Sequence, residues 1–164
     1  MQVRDAIRTK RAVRQFSDQH VPDSDISAIL NAGRRSQSSK NKQPWHFIVV
    51  KDRGTLEALS RLGTFAGHLA GADFAVVMIS DKAGNWPDFD LGQAAAYMQL
   101  AGWELGVGSC IAAIYEPDKA KELLGVPAEL ILNLAISFGY PAPDFTPTKG
   151  GRRQLTDIVH YEKW

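Results

Sequence analysis

The stretch Asp73-Phe74-Ala75-Val76-Val77-Met78-Ile79-Ser80 most limits how this chain can fold. It is apolar at every position from Phe74 to Ile79, whereas a strand with one wet face alternates apolar and polar residues. The run therefore predicts an interior strand covered on both sides, which calls for a layer above the sheet and another below it. Three further runs read as strands: Trp45–Val50, Ser109–Ile114 and Ile131–Phe138. Helical patterns fall at Val3–Thr9, from Val21-Pro22-Asp23-Ser24 to about Arg35 with Asp23 or Ser24 as N-cap, and from Gly54 to about Leu69. A short helix follows Glu116-Pro117-Asp118 and ends near Gly125. Phe89–Leu105 is the longest helix, apolar almost all round and rich in Ala and Gly, which marks it as central and open to close backbone approach. The expected fold is α+β, a mixed three-layer sandwich in one domain spanning 1–164.

At 164 residues, 45% apolar and 23% charged, the chain has the make-up of an ordinary folded domain. Its net charge of +1 lacks the basic excess of a general nucleic-acid binder. One cysteine, Cys110, allows no internal disulfide, and its apolar neighbours mark a buried structural thiol. His20, His46, His68 and His160 lack metal-ligand spacing and are expected in surface or satisfied roles, with no metal bound. Trp86 and Trp103 are expected to pack in the core or a loop. There is no signal-peptide core and no membrane-length apolar run, so a cytoplasmic protein is expected. Neither a Walker loop nor a Gly-x-Gly-x-x-Gly fingerprint occurs, nor a Gly-x-Ser-x-Gly nucleophile elbow.

Charge is concentrated in two knots: Lys10-Arg11-Ala12-Val13-Arg14-Gln15-Phe16 and Lys149-Gly150-Gly151-Arg152-Arg153. Either knot alone reads as a solvated surface run; taken together, because Arg donates two parallel hydrogen bonds to phosphate oxygens, they suggest that chain start and chain end meet around a phosphate-bearing ligand. The 144–164 tail is Pro-interrupted and without helix period, yet carries Leu155, Ile158, Val159, Tyr161 and Trp164. Such a tail is expected to extend over a second subunit, with folding back on its own subunit as the alternative.

Between the knots lies the polar loop Ser38-Ser39-Lys40-Asn41-Lys42-Gln43-Pro44-Trp45. The two knots, this loop, Asp90-x-Gly92-x-Ala94-Ala95 and Ile136-Ser137-Phe138-Gly139-Tyr140-Pro141 come in an order that resembles the nitroreductase family, FMN-dependent NAD(P)H oxidoreductases that are mostly dimeric. The resemblance implies a nitroreductase-like FMN-binding domain, a mostly antiparallel central sheet and a homodimer with exchanged C-terminal tails. It implies that Lys10, Arg11 and Ala12 lie along the FMN phosphate and ribityl chain, and that Arg152 and Arg153 complete the phosphate clamp. Arg14 would face flavin N1 and O2, where a fixed cation stabilises the charge that develops on hydride transfer. Ser38, Ser39 and Asn41 would reach the flavin from the other subunit, and the backbone N–H groups of Ala112 and Ala113 would approach N5 and O4.

The implied activity is ping-pong transfer from NADH or NADPH to a small electron-poor acceptor such as a nitroaromatic or quinone. Flavin reduction for a partner, dehalogenation, flavin fragmentation and a non-catalytic flavin-binding module remain alternatives, and an RNA-contacting protein is a third class. Ala12 stands where the family has Ser, Gln37 and Gln154 where it has Pro, and the strand Ser109–Ile114 lacks the Gly-Phe pair frequent at the flavin edge. The chain is short between Leu69 and Asp90, so the pocket would be open, or lined by the tail and Asn85-Trp86-Pro87.

Overall fold

A computed structural model of the chain describes residues 1–81, 87–148 and 150–164, apart from the Asn133 side chain. The elements are α1 (Val3–Thr9), α2 (Asp23–Arg34), β1 (Trp45–Val50), α3 (Arg53–Ser60), β2 (Phe74–Ser80), α4 (Pro87–Glu104), β3 (Gly108–Ala113), α5 (Pro117–Leu124) and β4 (Ile131–Gly139). The four strands make one fully antiparallel sheet in the order β1-β2-β4-β3. The apolar run is interior, as expected, and all seven residues of β2 are buried.

Successive residues of β2 serve opposite layers. Phe74, Val76 and Met78 pack with Ile26 and Ile29 of α2 and with Leu91 and Met98 of α4. Ala75, Val77 and Ile79 pack with Leu56 and Leu59 of α3, with Leu69, and with Ala120 of α5. Phe74 and its cross-strand partner Phe138 stack with ring centroids 4.9 Å apart. Each large side chain so buried contributes roughly 1.5–3 kcal/mol. Gly33 lets α2 lie against α4: a Cβ there would sit 2.3 Å from Met98 Cε. The result is the three-layer α+β sandwich expected from the sequence.

Two local expectations fail. The cap of α2 is Pro22, whose carbonyl accepts from Asp25 and Ile26, while Asp23 pairs with Lys51 at 2.9 Å. The helical pattern from Gly54 to Leu69 breaks after Ser60, because the chain must approach the end of β3. There the Leu62 carbonyl accepts from the Tyr115 and Glu116 N–H groups, and a Cβ on Gly63 would lie 2.1 Å from the Ala113 carbonyl oxygen. Only the single turn Gly67–Leu69 resumes helical form.

The tail ends in one short turn, Leu155–Asp157, and stays on the outside. Leu155, Ile158, Tyr161 and Trp164 are 70%, 51%, 84% and 101% exposed. Among the described residues, no helix is long and apolar enough to cross a membrane.

Candidate functional site

The N-terminal knot is stitched to the sheet. Strand β3 is an edge strand, and the Val13 N–H donates to the Ser109 carbonyl at 3.0 Å, with Ala12 and Ser109 bridged in parallel. Val13 is fully buried against Gly108, where a Cβ would come within 2.6 Å of its methyl group. Further on, the Ser17 N–H donates to the Tyr140 carbonyl and the Ala142 N–H to the Gln15 carbonyl. Segment 12–17 therefore runs along the rim formed by β3 and the end of β4, with Ala12 and Arg14 exposed and Val13 anchored between them.

Each cation has its own setting. Lys10 is hydrogen-bonded through Nζ to Oε1 of Gln99, a buried residue of α4. Burial holds its ammonium below the usual Lys range, and the Arg14 charge adds to this. Arg11 Nη1 donates to the carbonyls of Arg8 and Lys10 at 2.9 and 2.8 Å, closing the end of α1. The tail returns to the same place: Ile7, Arg8, Arg11, Thr148, Gly150 and Arg152 line one cavity of about 340 Å³. Arginines from both ends of the chain thus meet in a cleft with no acidic residue in its described lining, Arg8 pairing with Asp5 beside it at 3.3 Å. Arg153 donates to the Asp157 carbonyl at 2.6 Å and is outside that lining. Lys149, named with this knot, lies outside the described residues, as do Asn85 and Trp86.

Beyond Ser109 no further strand pairs with the outer edge of β3 among the described residues, although Gly63 lies against the Ala113 carbonyl oxygen. In an antiparallel ladder, alternate residues turn their N–H and C=O groups to the neighbouring strand and away from it. The Ser109 carbonyl faces the knot, so Ile111 and Ala113 face the same outer edge, whereas Ala112 pairs toward Ala135 of β4 and is buried. Of the two alanines named from sequence, the geometry turns only the Ala113 amide outward. Cys110 is buried, and burial pushes its thiol up, although Arg14 and Lys10 pull the other way. It is the structural thiol the sequence indicates.

His68, grouped from sequence with the other histidines in surface or satisfied roles, has a setting of its own. His68 Nδ1 lies 2.8 Å from the Ser137 hydroxyl, which donates to the Cys110 carbonyl at 3.2 Å. His68 Nε2 is buried beside the Ile111 backbone without a hydrogen bond of full geometry. Burial and then the Arg14 charge hold the imidazole below the usual His range. The folded protein therefore binds this proton less readily than the unfolded chain, whose His titrates near ~6.5. The stability gained by keeping His68 neutral is complete above that pH and is lost as pH falls through it. We expect the urea midpoint of the wild type to drop between about pH 7.5 and about pH 5.5, and His68→Gln to reduce that drop. An equal drop in the variant would contradict the assignment. No signal in the sequence marks His68, since Ser137, Cys110 and Arg14 are distant in the chain.

The other histidines are satisfied or peripheral. His20 pairs with Asp73 at 2.7 Å, His46 with Asp81 at 3.2 Å, and His160 stacks on Trp164. Among the described residues, no group of three His, Cys, Asp or Glu could hold a metal ion. Trp103 donates to the Thr9 hydroxyl at 3.0 Å and packs between α4 and α1, in keeping with the packing role read from sequence.

The polar loop stands elsewhere on the same chain. Ser38 and Ser39 line a cavity with Gln37, Phe89, Asp90 and Gln93. Asn41 is exposed in the turn Ser39–Asn41. Among the described residues this cavity shares no lining residue with the arginine cleft, so within one protomer the loop and the cations line separate cavities.

The sequence model of the nitroreductase family matches residues 7–70 and 63–140. An Archaeoglobus fulgidus protein named "Putative NADH dehydrogenase/NAD(P)H nitroreductase" is 36% identical, over 96% of both chains. The crystal structure of an FMN-dependent nitroreductase from Clostridium difficile is 30% identical and superposes with a TM-score of 0.87, over 97% of this chain and 98% of that one. A Desulfovibrio desulfuricans protein solved in complex with FMN is 27% identical with a TM-score of 0.85, over 100% and 98% of the two chains.

Proposed function

The chain belongs to the nitroreductase family of oxidoreductases, and on that premise we propose that it binds FMN and moves electrons from NADH or NADPH to a small electron-poor acceptor. The observation that carries this reading is the cleft in which Arg8 and Arg11 from the chain start face Arg152 from the chain end. Its cationic lining fits a phosphomonoester. The outward Ile111 and Ala113 backbone groups of β3, near Arg14, fit the rim of a planar heterocycle that needs backbone donors. FMN, when bound, accepts a hydride from the nicotinamide and delivers the electrons to a nitroaromatic or quinone in a separate half-reaction.

The protein's part is to hold and to tune. Lys10, Arg11 and Arg152 neutralise the phosphate, with Arg153 joining from the tail. The Ala113 and Ile111 amides orient the ring edge at β3. Arg14, without an acidic partner among the described residues and anchored through its neighbour Val13, sets a positive charge where negative charge grows. No side-chain nucleophile takes part.

A homodimer completes the site. The exposed tail apolar groups need a cover, and the exposed positions Gly92, Ala96 and Tyr97 of α4 offer a face for one. A second copy supplies both, and it brings its Ser38–Asn41 loop to the first copy's cations. A cytoplasmic location, where reduced nicotinamides are available, accords with this role. The test is a spectrum of the purified, FMN-loaded protein under nitrogen. NADH or NADPH is expected to bleach the flavin bands and a quinone to restore them. Bands that neither nicotinamide changes would leave a passive flavin holder.

A further inference from the structure

The loop that the flavin reading sends toward the second subunit is held in a costly conformation. Lys40, Asn41 and Gln43 have φ of 53°, 54° and 51°, in the left-handed region, and none is glycine. Three such residues within four positions persist only where surrounding contacts over-determine the backbone. Two anchors do so. The Ser38 hydroxyl accepts from the Gln43 N–H at 2.9 Å and closes the loop across its neck. At the other side the Ser39 N–H is shared by both carboxylate oxygens of Asp90, at 3.2 and 3.1 Å.

Asp90 is an odd residue to find there. It sits in the first turn of α4, next to the core residue Leu91, is 4% exposed, and lines the cavity beside Ser38 and Ser39. A buried carboxylate is costly unless its hydrogen bonds repay the lost water. The helix N-terminus helps to hold its charge. A neutral apolar residue would serve the packing of α4 better, so the charge is there for what it binds, the Ser39 amide.

We propose that Asp90 is a positioning residue: from the rigid central helix it fixes the strained Ser38–Gln43 loop in the form that meets the flavin of the dimer. The loop's side chains are then set before ligand arrives, and binding pays little for ordering them. Asp90 touches neither flavin nor substrate. The proposal rests on the FMN reading above and goes beyond it by assigning the loop's geometry to one carboxylate.

The test uses the full-length protein, freed of flavin, as wild type, Asp90→Ala and Asp90→Asn. Amide exchange is followed at Ser39 and Gln43, and FMN is titrated into each. In Asp90→Ala we expect both amides to exchange at least about tenfold faster and FMN to bind about ten- to a hundredfold more weakly, the usual effect of losing a hydrogen bond to a charged group. Asp90→Asn keeps one acceptor for the Ser39 N–H and should recover part of both losses. If Asp90→Ala does not yield folded protein, Asp90→Asn carries the same comparison with smaller shifts. Unchanged exchange at Ser39 overturns the proposal, and so does faster exchange with undiminished FMN affinity. Wild type that takes up no FMN overturns the flavin reading itself, whatever the exchange shows.

Discussion

Arg14→Ala will slow reduction of the FMN-loaded protein about a hundredfold while weakening FMN affinity less than about tenfold, the pattern of a donor whose partner charge grows during reaction. The asymmetry follows from where Arg14 sits. Its backbone is fixed by Val13, buried against Gly108 and bonded to the Ser109 carbonyl, so the guanidinium starts from a rigid base. The ground-state hold on the phosphate lies in a different place, with Arg11 and Arg152. Removing Arg14 therefore leaves that clamp intact and takes away the cation facing the ring. Rapid mixing of oxidised enzyme with NADH or NADPH gives the rate, and a flavin titration gives the affinity. Equal losses in both would make Arg14 an anchor only.

Deleting Gln154–Trp164 will turn a dimer into a monomer. Leu155, Ile158, Tyr161 and Trp164 make almost no use of their apolar surface in one protomer, with at least half of each side chain exposed. Four such anchors seated on a partner would contribute roughly 6–12 kcal/mol before the cost of association is met. A micromolar dimer needs only about 8 kcal/mol in all, so losing the two tails removes what holds it. FMN affinity should fall with it if, as proposed, the second copy supplies the Ser38–Asn41 loop. Sedimentation of the truncated chain as an intact dimer would show that the tail folds elsewhere.

How much of this could be read from the sequence depends on the range of the interactions involved. The apolar run at β2 dictated two covering layers, and the strands β1, β3 and β4 stand within a residue or two of their predicted bounds. The order β1-β2-β4-β3 was not legible, since it depends on which edges meet in space. The knots were legible as charge, and Arg11 and Arg152 do line one cleft. The failures share a cause. The break after Ser60 comes from the close approach of Gly63 to Ala113, fifty residues on. Ala112 and Ala113 looked equivalent until the ladder register turned one inward. His68 had no neighbours in sequence to mark it, and its surroundings come from β3, β4 and the N-terminal knot. Asp90 belonged to a motif that resembled the family's, but its grip on Ser39 spans fifty-one positions.

The central claim, that both chain ends and a second copy's loop grip one flavin mononucleotide, is tested most directly by titrating FMN into the flavin-free full-length protein and following its absorbance. The account predicts a spectral shift that saturates at one FMN per chain and fails to develop when Arg11 and Arg152 are both replaced by Ala. A protein that stays colourless after added FMN is washed away, or that binds it equally well without those two arginines, would contradict it.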